Sequence, residues 1–422
     1  MELQQIIAIC IFLGVIIAII SEKIHRTVAA LVGAVLLLLT HVLTVDGAME
    51  FVDVNTVGVL VGMMLFVAVV KNSGLFEYIA IRAAKFTRGQ PIATLIMFTI
   101  ITTVLSAFLD NVTTVLLIGP MAIAITQILE INPVPFLITQ AIASNLGGTA
   151  TLIGDPPNIM IGSAAGLSFM DFVMNTGVVV LIVLVIYCLL FSVMYRKELV
   201  VKEENMQKVM KLDENLAIKD KGLLIKSVVM IVLVVVAFIF HDQLGVESAT
   251  VALTAAGIML LIGHQDAEEI VLGVEWSTIL FFIGLFVVVG GLNSTGIISA
   301  AANWLLALID NNLVVAMMLI LWASAILSAF LDNIPFVAAM IPLIMTMGDS
   351  GMNIMPLWWA LSLGACLGGN GSLIGASANV VLAGIGAKNG HPITFAKFLK
   401  VGFPLMLISI VISTIYLLVR FA

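Results

Sequence analysis

Charge is what this chain has least of. Among its 422 residues only 10% are Asp, Glu, Lys or Arg, against 62% hydrophobic, and the mean hydropathy is +1.22. A water-soluble domain carries roughly a quarter charged residues, so a soluble enzyme or binding domain is excluded. The three cysteines, Cys10, Cys188 and Cys366, lie far apart in apolar segments. They show neither metal-ligand spacing nor a disulfide framework and read as packing residues. Five Trp and four Tyr allow at most a thin aromatic belt. No phosphate-binding loop, nucleophile–base pair or nucleotide domain is visible. That argues against an enzyme, against a bound cofactor, against nucleic acid as a partner and against an ATPase within the chain. His25, His41, His241, His264 and His391 fall at the ends of apolar runs and read as solvated loop residues. The N-terminus lacks a positive region and a small-residue cleavage site, so residues 5–21 read as a retained span.

Apolar runs long enough to cross a bilayer, about 17–25 residues, recur along the whole chain. The first half suggests spans near 5–21, 27–44 and 55–71, then a basic amphipathic piece over 72–90. Two apolar arms over 92–130 meet at Asp110-Asn111. An interrupted segment over 136–165 and a span near 174–195 follow. Residues 196–226 mix eight bases with six acids and read as a partly helical, solvated linker. The second half suggests spans near 226–240, 248–263 and 277–292, arms at 313–331 and 334–348, an interrupted segment at 356–387 and a span at 399–419.

The halves repeat one another. Ser106 to Asn111 and Ser328 to Asn333 spell the same six residues at an offset of 222 (332 − 110 for the two Asp). Thr56, Gly62, Gly74 and Pro120 fall on Thr278, Gly284, Gly296 and Pro342 at that offset. Gly148, Gly154 and Asn158 fall on Gly369, Gly375 and Asn379 at 221 (379 − 158). Each half holds an odd number of crossings, so the second must be inverted relative to the first. Inverted repeats with broken helices are the pattern of a secondary transporter.

The expected fold is therefore an all-α polytopic membrane protein of two inverted five-span repeats, each with a re-entrant hairpin and an interrupted helix, about ten spans plus two hairpins. Repeat 1 covers 1–195 (scaffold 5–91, transport part 92–195) and repeat 2 covers 227–422 (scaffold 227–312, transport part 313–422), with the linker at 196–226 between them. With the linker in the cytoplasm, all of the 18 Lys and Arg except Arg420 lie on its side, as the positive-inside rule asks. Both termini then face outward from a plasma membrane.

Carboxylates at membrane depth are costly and mark functional sites. Asp110 and Asp332 either cap the returning hairpin helix or face a cavity. Thr113 and Thr114 follow the first pair; Pro335 and Phe336 follow the second. Gly154-Asp155-Pro156-Pro157-Asn158 cannot be continuous helix, whereas Gly375-Ala376-Ser377-Ala378-Asn379 must break through its glycines. Asp155 has no counterpart, since Ala376 stands there. Three acids with no intramembrane base favour a cation or proton and a neutral solute, and disfavour a dicarboxylate or phosphate.

Phe108 to Thr114, Gly147 to Asn158 and Gly364 to Val380 resemble the ion transporter superfamily, in particular its group of arsenite permeases and the melanosomal P protein. The resemblance covers nearly the whole chain. It implies a scaffold, a mobile transport part with two hairpins, elevator-like alternating access and a homodimer in the membrane lipid. Carried over, the binding residues are Asp110, Asn111, Asp155, Asn158, Asp332, Asn333, Ser377 and Asn379. Thr113, Thr114, Thr149, Thr151, Asn370 and Ser372 complete the candidate set, with Asp110, Asp155 and Asp332 as proton carriers and sodium as a transient metal. The expected function is proton-coupled transport of an inorganic ion or neutral metalloid, arsenite or antimonite efflux first, with sodium–proton antiport as the alternative. A dicarboxylate carrier stands lower, because superfamily members of that type carry Ser where this chain has Asp at both tips. A channel also stands lower, because no ring of bases or continuous polar lining is visible.

Overall fold

The computed structural model describes residues 2–21, 23–310 and 312–422, and among these every regular element is a helix. The first half runs α1 (Leu3–Ile20), α2 (Arg26–Leu39), α3 (Val45–Glu50), α4 (Val54–Lys71), α5 (Leu75–Phe86), α6 (Pro91–Phe108), α7 (Asn111–Leu129), α8 (Val134–Thr149), α9 (Pro156–Ala165), α10 (Phe169–Phe172) and α11 (Val178–Met194). A linker helix, α12 (Glu203–Met210), leads to the second half: α13 (Lys221–Phe240), α14 (Ser248–Gly263), α15 (Ala267–Leu272), α16 (Trp276–Ser294), α17 (Ile297–Ile309), α18 (Leu313–Phe330), α19 (Asn333–Asp349), α20 (Met355–Gly368), α21 (Ser377–Lys388) and α22 (Phe395–Phe421). Nine helices among the described residues are long and apolar enough to cross a membrane, and three of these, α6, α7 and α18, are hairpin arms. Each 18-residue arm is about 27 Å long at about 1.5 Å per residue.

The sequence reading of one span over 27–44 is corrected. α2 stops at Leu39, His41 takes a left-handed φ of 56°, and the Thr44 side chain caps a separate α3. The related short helix α15 is likewise capped by Asp266. These two amphipathic turns carry too few apolar positions to show as periodic segments.

Equivalent helices pack across the repeat boundary. A Cβ on Gly62 of α4 would lie 2.6 Å from the Ala252 carbonyl carbon in α14. A Cβ on Gly284 of α16 would lie 2.9 Å from the same atom of Ala30 in α2. Ala30 and Ala252 are themselves related by the offset of 222 (252 − 30). With little hydrophobic gain available between helices in lipid, small residues that allow close backbone approach hold such pairs together.

The linker is not a free solvated connector. Val209 is fully buried, and Asn205 and Glu214 are nearly so. Asn205 donates to the Leu129 carbonyl at the end of α7, and Lys208 reaches Glu130. Further on, Glu214 receives Arg82 at 2.9 Å and a short contact from Lys85, both on α5, while Lys219 pairs with Glu77 at 3.5 Å. Leu199 and Val209 form its docking face, with Val201 and Leu212 partly buried beside them, whereas Val200 and Leu216 stay exposed.

Candidate functional site

The two hairpin tips have the same backbone. Leu109 and Leu331 end their helices in extended geometry, and Asp110 and Asp332 follow as N-caps of α7 and α19. Asp110 accepts the Thr113 N–H at 2.8 Å and the Thr113 hydroxyl. Asp332 accepts the Ile334 N–H at 3.1 Å through Oδ1 only, because Pro335 removes the next donor. Both aspartates are caps, and both also border the clefts described below.

The interrupted helices break at matching places. Asp155 and Ala376 share extended backbone, at φ −144° and −149°. α9 then opens on Pro156 and Pro157, where a missing N–H costs nothing. In the other copy α20 gives way to a single 3-10 turn over Gly369–Gly371 before α21 begins. The broken stretch runs tight against the hairpin: a Cβ on Gly154 would sit 2.5 Å from the Ser106 carbonyl oxygen, and one on Gly375 would sit 2.8 Å from that of Ser328. The Thr151 hydroxyl donates to the Ala107 carbonyl, and Ser372 donates to that of Ala329 at 2.5 Å.

Asn158 and Asn379 hold the breaks closed. Asn158 Nδ2 donates to the carbonyls of Gly148, Thr149 and Thr151, and Asn379 Nδ2 to those of Gly369 and Ser372. Unwound backbone at membrane depth needs such internal partners. Thr149 donates to the carbonyl of Asn145. Thr149, Thr151, Asn158, Ser372 and Asn379 thus shape the site through backbone bonds, while the acids and the remaining amides face one another.

The sequence reading missed the residue that joins the halves. Asn145 Nδ2 donates at 3.0 Å to both Asn370 Oδ1 and Asn379 Oδ1, and its own Oδ1 accepts from Asn111 Nδ2 at 3.0 Å. Its repeat counterpart is Cys366 (366 − 145 = 221). Cys366 Sγ lies 3.4 Å from Asn158 Oδ1, which also accepts from Ser362 at 2.6 Å. Cys366 is a polar contact beside the site as well as a packing residue. The signal was available: the repeat aligns it with a buried amide.

Asp155 is the least satisfied acid. It is 1% exposed, and Oδ1 accepts only a 3.3 Å bond from Asn111. Among the described residues its Oδ2 has no hydrogen-bond partner, and neither do Thr114 Oγ1 and Asn370 Nδ2. Asp155, Asp110, Asn111, Asn333, Ser377 and Glu275 line one cleft of about 20 Å³, space for about one water molecule. Wider cavities flank it: about 230 Å³ beside Thr113 and Glu275, and about 350 Å³ beside Asp332 and Ser377. The larger groove of about 580 Å³ lies between α5, α6 and the linker, away from the acids.

Two charges correct the expectation of three acids and no base. Arg26, at the start of α2, donates to Asp332 Oδ2 at 2.8 Å and to Ser377 Oγ at 2.6 Å. Its second nitrogen reaches Thr278 Oγ1 at 3.3 Å, and that hydroxyl reaches Glu275 Oε2 at 3.2 Å. The site therefore holds four carboxylates and one guanidinium. Arg26 is the first residue of α2 and by position belongs to the bases expected on the linker side, so its inward reach does not show in sequence. His241 is also corrected from a solvated residue. It is buried, with Nδ1 3.0 Å from the Val246 carbonyl and Nε2 accepting the Phe169 N–H at 3.3 Å.

Paired helical hairpins, paired broken helices and carboxylates gathered at their meeting point define a multi-pass membrane transporter. Residues 16–364 match the family described as citrate transporter, and the chain belongs to that family. It is 40% identical over 426 residues to an uncharacterized transporter of Mycobacterium bovis (strain ATCC BAA-935 / AF2122/97), covering 99% of each chain. It is 39% identical to the 46 kDa membrane protein of Mycobacterium leprae (strain TN), again over 99% of each. The P protein of Homo sapiens is 34% identical over 509 residues, covering 99% of this chain and 60% of the P protein. Among solved structures the YdaH transporter of Alcanivorax borkumensis superposes with a TM-score of 0.60 at 15% identity, over 90% of this chain and 87% of that one. That likeness is one of fold.

Proposed function

We propose that this chain is a proton-coupled secondary transporter of a small inorganic solute, working by elevator-like alternating access between two inverted halves. The reading that the geometry supports best is exchange of protons against a monovalent cation such as sodium. The carrying observation is Asp155: a buried carboxylate with one oxygen unbonded among the described residues, sharing a water-sized cleft with Asp110, Asn111 and Glu275. An ionised carboxylate so placed is costly unless a counter-charge or a proton joins it. A proton and a dehydrated cation both fit the space, and they exclude one another by charge, which is the requirement for exchange. Thr114 Oγ1 and Asn370 Nδ2 are further buried polar groups without partners among the described residues. The Lys and Arg distribution supports a cytoplasmic linker and outward termini in a plasma membrane.

Neutral arsenite or antimonite is the second reading, supported by the acids as hydrogen-bond acceptors and by the resemblance of the tip motifs. Citrate, the cargo in the family's description, is supported by Arg26 as a carboxylate partner, but three acids of the small cleft and Asp332 oppose it. The test is the purified chain in vesicles holding a pH-sensitive dye, with sodium, arsenite and citrate added in turn. Sodium-driven proton movement is expected. Movement with citrate alone would overturn the cation reading, and movement with arsenite alone would replace it by the metalloid one.

A further inference from the structure

Arg26 stands where two cavities meet. The cleft of about 20 Å³ and the vestibule of about 350 Å³ are both lined by Arg26 and Ser377. The guanidinium is held from both sides. Asp332 and Ser377 bind it from the second hairpin and from α21, while Thr278 and the Phe281 ring, whose centroid is 5.1 Å from Cζ, hold it from α16. Its side chain is 24% exposed and that of Asp332 13%, so the pair is shielded but reachable from the vestibule.

The repeat makes this pair informative. At the offset of 222 the counterpart of Arg26 is Ser248 (248 − 26). Among the described residues the first hairpin has no paired cation, and Asp110 is bonded by Thr113 of its own helix. Two tips that share the six residues from Ser to Asn differ in their counter-ion: one has a tethered guanidinium, and among the described residues the other has none. A guanidinium does not lose its proton in proteins. Arg26 cannot carry a proton, so it acts on Asp332 only by binding or by leaving.

We propose that Arg26 is a tethered counter-cation that competes with the mobile cation for Asp332. In the conformation described here it occupies the Asp332 carboxylate. A sodium ion or proton arriving from the vestibule takes its place, and freeing Arg26 from Asp332 and Ser377 uncouples the second hairpin and α21 from α2 and α16. Cation binding and release of the hairpin from the scaffold helices are then one event. This deepens the cation-exchange reading and rests on it.

The experiment compares wild type, Arg26→Gln and Arg26→Lys in dye-loaded vesicles titrated with sodium, and the same proteins in thermal unfolding with sodium chloride against choline chloride. Arg26→Gln is expected to lower the sodium concentration for half-maximal proton flux about tenfold, the order of one charged hydrogen bond. Arg26→Lys, which keeps the charge with a single donor group, is expected to fall between. Sodium is expected to raise the unfolding temperature of Arg26→Gln more than that of wild type. An unchanged half-saturation with a lower maximal flux makes Arg26 merely structural and overturns the proposal. If wild type shows no sodium-driven flux, the exchange reading fails, and the unfolding comparison decides the tether separately: an equal sodium response in wild type and Arg26→Gln sinks it.

Discussion

The Nδ2 of Asn145 lies 3.0 Å from Oδ1 of Asn379, and in the related position Cys366 Sγ lies 3.4 Å from Oδ1 of Asn158. Each residue sits in the uninterrupted arm of one broken helix and touches the asparagine that clamps the break in the other. The two halves are thus joined by a reciprocal pair of contacts at the site itself. One contact is a full amide hydrogen bond and the other a weak thiol one.

Asn145→Ala is expected to destabilise the protein by about 1–3 kcal/mol, because buried carbonyl oxygens on Asn370 and Asn379 lose their donor. Cys366→Ala should cost less, since Asn158 keeps its bond from Ser362. Thermal unfolding in detergent with a fluorescent thiol or intrinsic probe reads the difference. Equal losses for the two variants would show that the reciprocal contacts are not what joins the halves.

Asp155→Asn separates stability from transport. The amide has the same shape and carries no charge, so the unbonded oxygen of a buried carboxylate is replaced by a neutral group. The variant is expected to unfold at the same or a higher temperature than wild type, while losing cation-driven proton flux. Asp155→Ala, which copies Ala376 of the other half, should lose flux as well. Retained flux in both variants would remove Asp155 from the coupling role.

Much of this architecture was legible because the chain states it twice. The hairpin breaks at Asp110 and Asp332 and the interruptions near Gly154 and Gly375 follow from hydropathy and the repeat, whereas α13 begins at Lys221, inside the stretch expected as linker, because its first turn is charged. What escaped were contacts that no periodicity encodes. Arg26 lies 306 residues from Asp332 in sequence, and its direction depends on how α2 meets α16. Glu275 directly precedes α16, and nothing in its sequence neighbourhood marks it as facing the site. Asn145 sat unnoticed in an apolar helix, although its neighbour in the motif, Gly147, was already marked. Thr151, expected among the binding residues, donates its hydroxyl to the Ala107 carbonyl of the hairpin, a backbone contact that composition does not encode.

Gly154 and Gly375 test the close approach between hairpin and broken helix. Gly154→Ala and Gly375→Ala each drive a methyl group against a backbone oxygen, at 2.5 Å and 2.8 Å. Overpacking of this kind costs about 1–3 kcal/mol, and backbone leaves no flexible side chain to yield. Gly257→Ala is the control, since a Cβ there meets nothing within 4 Å. Expression level and unfolding temperature should fall for the first two and hold or rise for the third. A tolerated Gly154→Ala would mean that the tip can move off the break without loss.

The docked linker makes a prediction with a pH sign. The Lys85 ammonium bonded to Glu214, together with a backbone amide and Arg82, holds that carboxyl down at about 2, against a usual 4.5. A depressed carboxyl favours the docked state wherever it is ionised, so the contribution is complete above about pH 4.5 and fades as pH falls toward 2. Protection of the linker from proteolysis should therefore be flat across pH 5–9, a range set by that sign. Glu214→Gln removes the anion at every pH. Trypsin at neutral pH should cut the variant between Lys202 and Lys221 several-fold faster than wild type, because α5 no longer holds the turn at Glu214–Ala217. Pepsin digestion between pH 4.5 and 2 should bring wild type toward the variant. Val209 and Asn205 still anchor α12 on the far side, so the cuts should cluster after Lys211 rather than before it. Equal cleavage of the two proteins at neutral pH would mean that the apolar face alone docks the linker.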